Sequence, residues 1–487
     1  MNKNLRYLWL VLAAVLGLFT GGKWNLPLAA WLVPLFAIRF FRDSDKAGRS
    51  FLLLWAASAI PTVISWYGAT SMSLINPIAE PIFFILTTPL GLLPYVIDRI
   101  YYRRSNTSFW VTLVFPIAFT AADFALSSNS PFGTFGALAY SQRGFPAAMQ
   151  AASVFGIWGI TFLVGWFASL INHIWESGFK FTRLSLTSAG LLVLILGLSL
   201  SRVLLPAAPK QTAVIAGFSL PNETIHNTII KLMVENDEAG FRQMTDEQNA
   251  SQMNQIRAMA QDGANIVVLQ EGAIIGMSDQ VEEVMREASV IAREENIYII
   301  LPTFDLGKDP AVNSVHIIDP NGDVVLTHVK YGGNQFEGTQ KGDGILQTVD
   351  TPYGKLSAII CWDADFPMIV KQAGEQEVDL LFIPSNDWVG VKDIHAGMAS
   401  FRAVENGMSV FRQTGQGVSL AADAYGNVLS RADTYRDSEG NVPGLQIVEM
   451  PISSVNTLYP QIGDAFGGLM FIGLVGLLIG LWITRRK

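Results

Sequence analysis

Cys361 is the only cysteine among 487 residues, and it closes an apolar run in the stretch LSAIICWDADFP, residues 356–367. Two charged residues occupy the same kind of position. Glu271 closes ANIVVLQ, and Lys330 closes DVVLTHV. A polar residue directly after a buried strand tends to stand at the carboxyl edge of a sheet, where α/β proteins place their sites. A thiol attacks an acyl carbon as a thiolate. A partly buried glutamate can take the thiol proton. A fixed lysine can hold the charge of a thiolate and then of a tetrahedral oxyanion, with the N–H of Trp362 as a second donor. Each residue alone also has a plain structural reading: a small core thiol, a loop carboxylate and a solvated strand-end cation. The case for chemistry rests on the three together.

Those strand ends need an α/β scaffold. Residues 210–455 contain ten strand-like apolar runs, from TAVIAGFSL to LQIVEMPI. Polar helical patterns cover 238–261, 278–295, 367–376 and 394–407. Such alternation means helices covering buried sheets.

The rest of the chain has another character. The whole is 50% hydrophobic and 15% charged, more apolar than soluble domains tolerate. Residues 1–206 carry a net charge of +8 and residues 207–487 carry −16. A membrane span needs about 20 apolar residues. Seven candidates lie near 5–21, 25–41, 51–68, 81–101, 108–127, 148–172 and 185–206, and an eighth near 464–483. The first lacks a small-residue cleavage site and reads as a retained anchor. Lysine and arginine gather in MNKNLR, RFFRDSDKAGR, DRIYYRR, ESGFKFTR and TRRK. By the positive-inside rule these segments and both termini are cytoplasmic, and residues 207–462 lie outside. The expected organisation is a seven-span unit over 1–206, an α/β domain over 207–462, and a last span with a basic tail over 463–487. A lone cysteine excludes an intramolecular disulfide, and no CxxC, HxxxH or HExxH spacing points to a metal.

The order Glu…Lys…Cys, with CWDADFP at the cysteine, resembles the nitrilase (carbon–nitrogen hydrolase) superfamily. With its spans, the chain resembles the apolipoprotein N-acyltransferase family. KWNLPLAAWLVPLFAIRF, LAYSQRGFPAAMQAASVFGIWGITFLV, PSNDWVG and HAGMASFRAVENGMSVFRQTGQG are similar to stretches of that family. The resemblance implies a nitrilase-like αββα sandwich on an eight-span helical base in a bacterial inner membrane. It implies Glu271, Lys330 and Cys361 as the catalytic set. It implies acyl transfer from a phospholipid, through a thioester, to the amine of a diacylglyceryl-modified lipoprotein. The bilayer is a further partner. No cofactor, metal or nucleic acid is called for, and the enzyme is expected to be a monomer.

Glu337, Trp362, Asp363, Asn386 and Trp388 are expected to bind substrate. Glu337 stands in KYGGNQFEG, where the family has Leu-x-Pro-Phe-Gly-Glu, and is the best match for its second glutamate. Asp363 and Asp365 can instead order the turn after the cysteine. His395 offers a weaker Cys–His alternative, and Asp123, near the outer end of a span where an ionisable group is costly and often functional, reads more readily as a snorkelling or helix-paired acid near the interface. Gly415-Gln416-Gly417 stands where the family has Asn-Asn-Gly. EGAIIGMSD and YGGNQFEGTQKGDG are expected to form a mobile lid. Water in place of the amine would make the chain a membrane-anchored amidase with the same triad. A transporter and a catalytically inactive lipid-binding module are the readings from other classes; few central charges and no repeat in the spans argue against the transporter.

Overall fold

The computed structural model describes residues 5–70, 72–105, 109–209, 211–436, 443–452 and 454–485. Lys3, Arg486 and Lys487 of the basic segments lie outside the described residues. The chain forms two compact units, Met1–Pro206 with Gln461–Lys487, and Ala207–Pro460.

The first unit is helical. Among the described residues, six helices are long and apolar enough to cross a membrane: Ala47–Trp66, Ala79–Arg104, Val111–Ser128, Ala152–Glu176, Arg183–Leu204 and Ala465–Ile483. The first candidate folds shorter, as Leu5–Gly17 with 13 residues, and the second keeps its length but shifts, as Pro27–Asp43 with 17. At about 1.5 Å per residue they reach roughly 20 and 26 Å, below the ~30 Å of a hydrocarbon core. A turn ends the first helix: Phe19 N donates to Leu16 O, and Thr20 bridges Asn25. Pro27 opens the second, where its missing N–H has no helical partner to lose.

Apolar side chains such as Leu191, Val193, Leu198, Ile472 and Ile479 remain on the outside of this unit. Polar contacts hold its inside. Arg42 grips Asp98 through two bonds of 2.6 and 2.8 Å, and Glu176 lies 3.2 Å from the same guanidinium. Trp31 donates to Gln142 at 2.7 Å, and Trp158 to Asp464 at 2.7 Å. Asp123 accepts from Thr161 on a neighbouring helix at 2.8 Å. Buried charges keep their place when paired and hydrogen-bonded in this way.

The second unit holds two stacked sheets. The first runs, neighbour to neighbour, Gln446–Ile452, Gln211–Phe218, Ile266–Leu269, Tyr298–Asp305, Val312–Ile318 and Val324–Val329. The second runs Val428–Asp433, Val418–Ala422, Ser409–Arg412, Leu380–Phe382, Gly354–Ala358 and Val349–Thr351. Ile266–Leu269 and Leu380–Phe382 are parallel to both their neighbours. Strands covered on both faces read as unbroken apolar runs. Ile215, Val268 and Ile300 of one sheet share a core with Ala358, Phe382 and Phe411 of the other. Helices Glu238–Gln261 and Ser278–Glu295 pack on the outer face of the first sheet. Pro367–Glu375 and Lys392–Asn406 cover the second. The order of layers is helix, sheet, sheet, helix.

One expectation is corrected here. EGAIIGMSD is no lid. Ile274–Gly276 forms a strand parallel to Tyr298–Asp305, and Ala273, Ile274 and Ile275 are fully buried. Gln248 and Asn249 donate to the carbonyls of Ala273 and Ile275. An apolar triplet gains more from the core than from solvent, and these amides satisfy its backbone.

Candidate active site

Glu271, Lys330 and Cys361 each follow a strand, and the two sheets bring the three strand ends together. Glu271 comes two residues after Ile266–Leu269. Lys330 directly follows Val324–Val329, and its N–H donates to Asn313 O at 3.0 Å. Cys361 lies three residues beyond Gly354–Ala358, and its N–H donates to Pro384 O at 2.8 Å.

The carboxylate of Glu271 is fully engaged. Its Oε1 accepts from Lys330 Nζ at 2.6 Å and from Asn313 Nδ2 at 2.8 Å. Its Oε2 accepts from the backbone N–H of Asn386 at 3.0 Å. Lys330 is 1% exposed and bonds Glu337 as well. Burial alone would lower the Lys330 pKa, but Glu271, Glu337 and Cys361 outweigh it and raise it well above the lysine range. The ammonium is therefore a fixed positive charge at any working pH. Burial raises the Glu337 carboxyl, against the opposing pull of Lys330.

Cys361 is 7% exposed. Its φ is +46°, a left-handed conformation for a residue with a Cβ. Such a backbone costs on the order of 1–3 kcal/mol and persists only where its surroundings impose it. Here a strand turns at once into the 3-10 turn Cys361–Asp365. The Sγ lies 3.8 Å from the carbonyl oxygen of Asn386. Burial, then Glu271, and after them Asp387 push the thiol well up, against Lys330 and Arg412. The resting sulfur is thus a protonated thiol, and its proton must pass to a base as it attacks.

The other expected residues divide. Glu337 reaches the site from the single helical turn Asn334–Glu337, within YGGNQFEGTQKGDG. Gly333, just before that turn, has φ +77°, and a Cβ there would stand 2.1 Å from the Trp362 ring. Trp362 packs edge-on against half-exposed Phe336, with centroids 5.8 Å apart. Asn386 joins through its backbone, as described. The Trp388 carbonyl accepts from Val391 and Lys392 at the start of Lys392–Asn406. Thr414–Gly415 pairs in parallel with Ser385–Asn386 and so backs the Asn386 segment.

Asp363 requires a correction. It is 0% exposed, and its oxygens are occupied. Oδ1 accepts from the N–H groups of Tyr331 and Gly332 at 2.9 and 2.7 Å. Oδ2 accepts from Ile360 N at 3.0 Å and lies 2.8 Å from His328 Nε2. A carboxylate enclosed this way ties the Lys330 strand end to the nucleophile turn and does not bind substrate. His395 does not pair with Cys361. Its ring stands between Asp387, at 2.9 Å, and Asp365, at 3.3 Å.

Sequence reasoning missed Asn313, Asp387 and Arg412. Asn313 left a signal: an amide in the otherwise apolar VNSVHII, 1% exposed in the fold. Asp387 and Arg412 lie inside the quoted stretches PSNDWVG and HAGMASFRAVENGMSVFRQTGQG, but nothing in the sequence paired two residues 25 positions apart.

Comparison with known proteins follows the same division. A family described as carbon–nitrogen hydrolase matches residues 233–458, and one described as apolipoprotein N-acyltransferase N-terminal domain matches residues 12–170. The apolipoprotein N-acyltransferase of Haemophilus influenzae is 23% identical over 517 residues, covering 94% of this chain and 94% of its own length. The omega-amidase NIT2 of Mus musculus is 28% identical over 218 residues, covering 37% of this chain and 76% of its own length. A solved amidase from Nesterenkonia sp. aligns with 52% of this chain and 94% of its own length at 17% identity, with a TM-score of 0.41.

Proposed function

The chain belongs to the apolipoprotein N-acyltransferase family and is an acyltransferase of lipoprotein maturation; we propose that it works through a Cys361 thioester formed from a phospholipid. Glu271 takes the Cys361 proton as the sulfur attacks the ester carbon. The tetrahedral oxyanion is held by the Lys330 ammonium and the Trp362 N–H. The ester C–O bond breaks, the proton passes from Glu271 to the departing oxygen, and a lysophospholipid leaves. The α-amine of a diacylglyceryl-cysteine then attacks the thioester. Glu271 takes a proton from the nitrogen, the C–S bond breaks, and the thiol is restored as the amide forms.

The contact of Asn386 with both Glu271 and Cys361 supports this reading best. The backbone of one residue touches base and nucleophile, with the fixed cation Lys330 on the same carboxylate. Precise placement of reacting groups is worth several kcal/mol of barrier.

In this reading Leu5–Gly17 and Pro27–Asp43 complete a base of eight spans in a bacterial inner membrane, with flanking residues or a thinned bilayer accommodating their short length. Both termini are cytoplasmic, residues 207–460 face the other side, and the enzyme works as a monomer. The bias of lysine and arginine supports that orientation. Asn386 and Trp388 line the acyl path, and the segment around Phe336 forms the lid at its mouth.

Incubation of the purified enzyme with phospholipid and a diacylglyceryl-cysteine peptide tests the reaction. The expected products are a blocked peptide amine and lysophospholipid. Free fatty acid with an unmodified amine would make it a hydrolase instead.

A further inference from the structure

Four buried side chains behind the nucleophile have no part in the steps above. Arg412 ends the strand Ser409–Arg412, and its guanidinium forks onto Asp387 with two bonds of 3.0 Å. The same guanidinium donates to Thr414 Oγ1 at 2.6 Å. His395, in the first turn of Lys392–Asn406, bonds the other side of Asp387. Its second nitrogen faces Asp365, the last residue of the Cys361 turn. Asp365, Asp387, His395 and Arg412 are all at least nine-tenths buried.

Their placement is the point. Asp387 follows Asn386, whose N–H holds Glu271 and whose carbonyl meets Cys361 Sγ. Asp365 closes the strained turn that begins at Cys361. His395 therefore bridges the segment that touches the base and the turn that carries the nucleophile.

We propose that Asp365, His395, Asp387 and Arg412 form a positioning clasp that sets the distance between Cys361 and the Asn386–Glu271 pair and so determines acylation rate. The proposal rests on the Glu–Lys–Cys reading above and adds residues that touch no substrate. A clasp needs a donor on each side of one ring, which imidazolium supplies and most side chains do not. It also needs a planar fork on Asp387, which arginine supplies and lysine does not. The clasp bears on the thiol electrically too. Cys361 feels Glu271, Lys330, Asp387 and Arg412, while His395 feels Asp365 and Asp387.

The test uses the full-length enzyme in detergent, with His395→Gln and Arg412→Lys. Two quantities are read: the kcat and KM of acyl transfer, and the pH dependence of Cys361 alkylation by iodoacetamide. His395→Gln is expected to lower kcat at least tenfold per folded enzyme, to leave KM within twofold, and to move the alkylation profile to higher pH. Arg412→Lys keeps the charge and is expected to lower kcat as well. If His395→Gln does not fold, Asp365→Asn severs only the link to the nucleophile turn and is expected to lower kcat in the same way, without the upward move of the alkylation profile, because a carboxylate and not a cation is lost. A parental kcat in folded His395→Gln or Asp365→Asn, or a parental alkylation profile in folded His395→Gln, would overturn the proposal. Alkylation needs no acyl donor. An enzyme that transfers no acyl chain would sink the function, while the thiol profile would still decide on the clasp.

Discussion

The backbone of Asn386 donates its N–H to Glu271 Oε2 at 3.0 Å, and its carbonyl lies 3.8 Å from Cys361 Sγ. Base and nucleophile are thus gauged by backbone, which a change of the Asn386 side chain leaves in place. Lys330, just past Val324–Val329 in the same sheet, fixes the other oxygen of Glu271. The arrangement leaves the carboxylate few ways to move, which is the property a general base in a buried site needs.

Removing the base while keeping its shape tests its role. Glu271→Gln keeps an oxygen toward Lys330, loses the proton acceptor and turns an NH2 toward the Asn386 N–H, so the variant's folding is checked alongside. Acyl transfer is expected to fall roughly 100-fold or more, measured as single-turnover release of lysophospholipid. Cys361→Ser should show no thioester at all.

Glu337 is placed on Lys330 by a single helical turn. Glu337→Gln replaces a charge-assisted bond to the ammonium with a neutral one, a loss of about 1–2 kcal/mol. That corresponds to roughly a tenfold lower kcat. Steady-state kinetics should show the fall in kcat with little change in KM.

Asp363 is a structural carboxylate. In Asp363→Asn one oxygen becomes an NH2 group facing an N–H donor, either Ile360 or the pair at Tyr331 and Gly332. The expected loss is about 2 kcal/mol or more of stability, read as an earlier unfolding transition in denaturant. Acylation should fall with it, because the Lys330 strand end loses its tie to the nucleophile.

The clasp also makes stability depend on pH. Burial alone would depress His395, but Asp365 and Asp387 outweigh it and raise it to about 9. Its folded pKa lies above the unfolded value of about 6.5. Its contribution is therefore complete below about pH 6.5 and fades as pH rises through 9. Burial alone would raise Asp387, but Arg412 and His395 hold it down at about 2. That contribution is present above about pH 4 and is lost as pH falls through 2. Thermal unfolding of the full-length protein should fall in temperature from pH 6.5 to 9, and His395→Gln should flatten that slope.

Much of the site was legible because each of Glu271, Lys330 and Cys361 stands at the end of an apolar run, and such runs mark buried strands. The triad is a statement about strand ends, and strand ends are local. What stayed hidden was not local. Asp387 and Arg412 meet only because Ser385–Asn386 and Thr414–Gly415 pair side by side. His395 looked like a spare ligand until Asp365 and Asp387 were placed around it. The triplet Ile274–Gly276 was too short, and too close to glycines, to be told from a loop by pattern. Helix Leu5–Gly17 fell short of its apolar stretch because the turn that begins at residue 18 consumes the difference.

The central claim is that the lone sulfur carries the acyl chain, and intact mass spectrometry after exposure to phospholipid tests it most directly. The account predicts a single acyl adduct on Cys361 that is discharged by a diacylglyceryl-cysteine peptide and is missing in Glu271→Gln. An unmodified Cys361 in an enzyme that still acylates the peptide would contradict it.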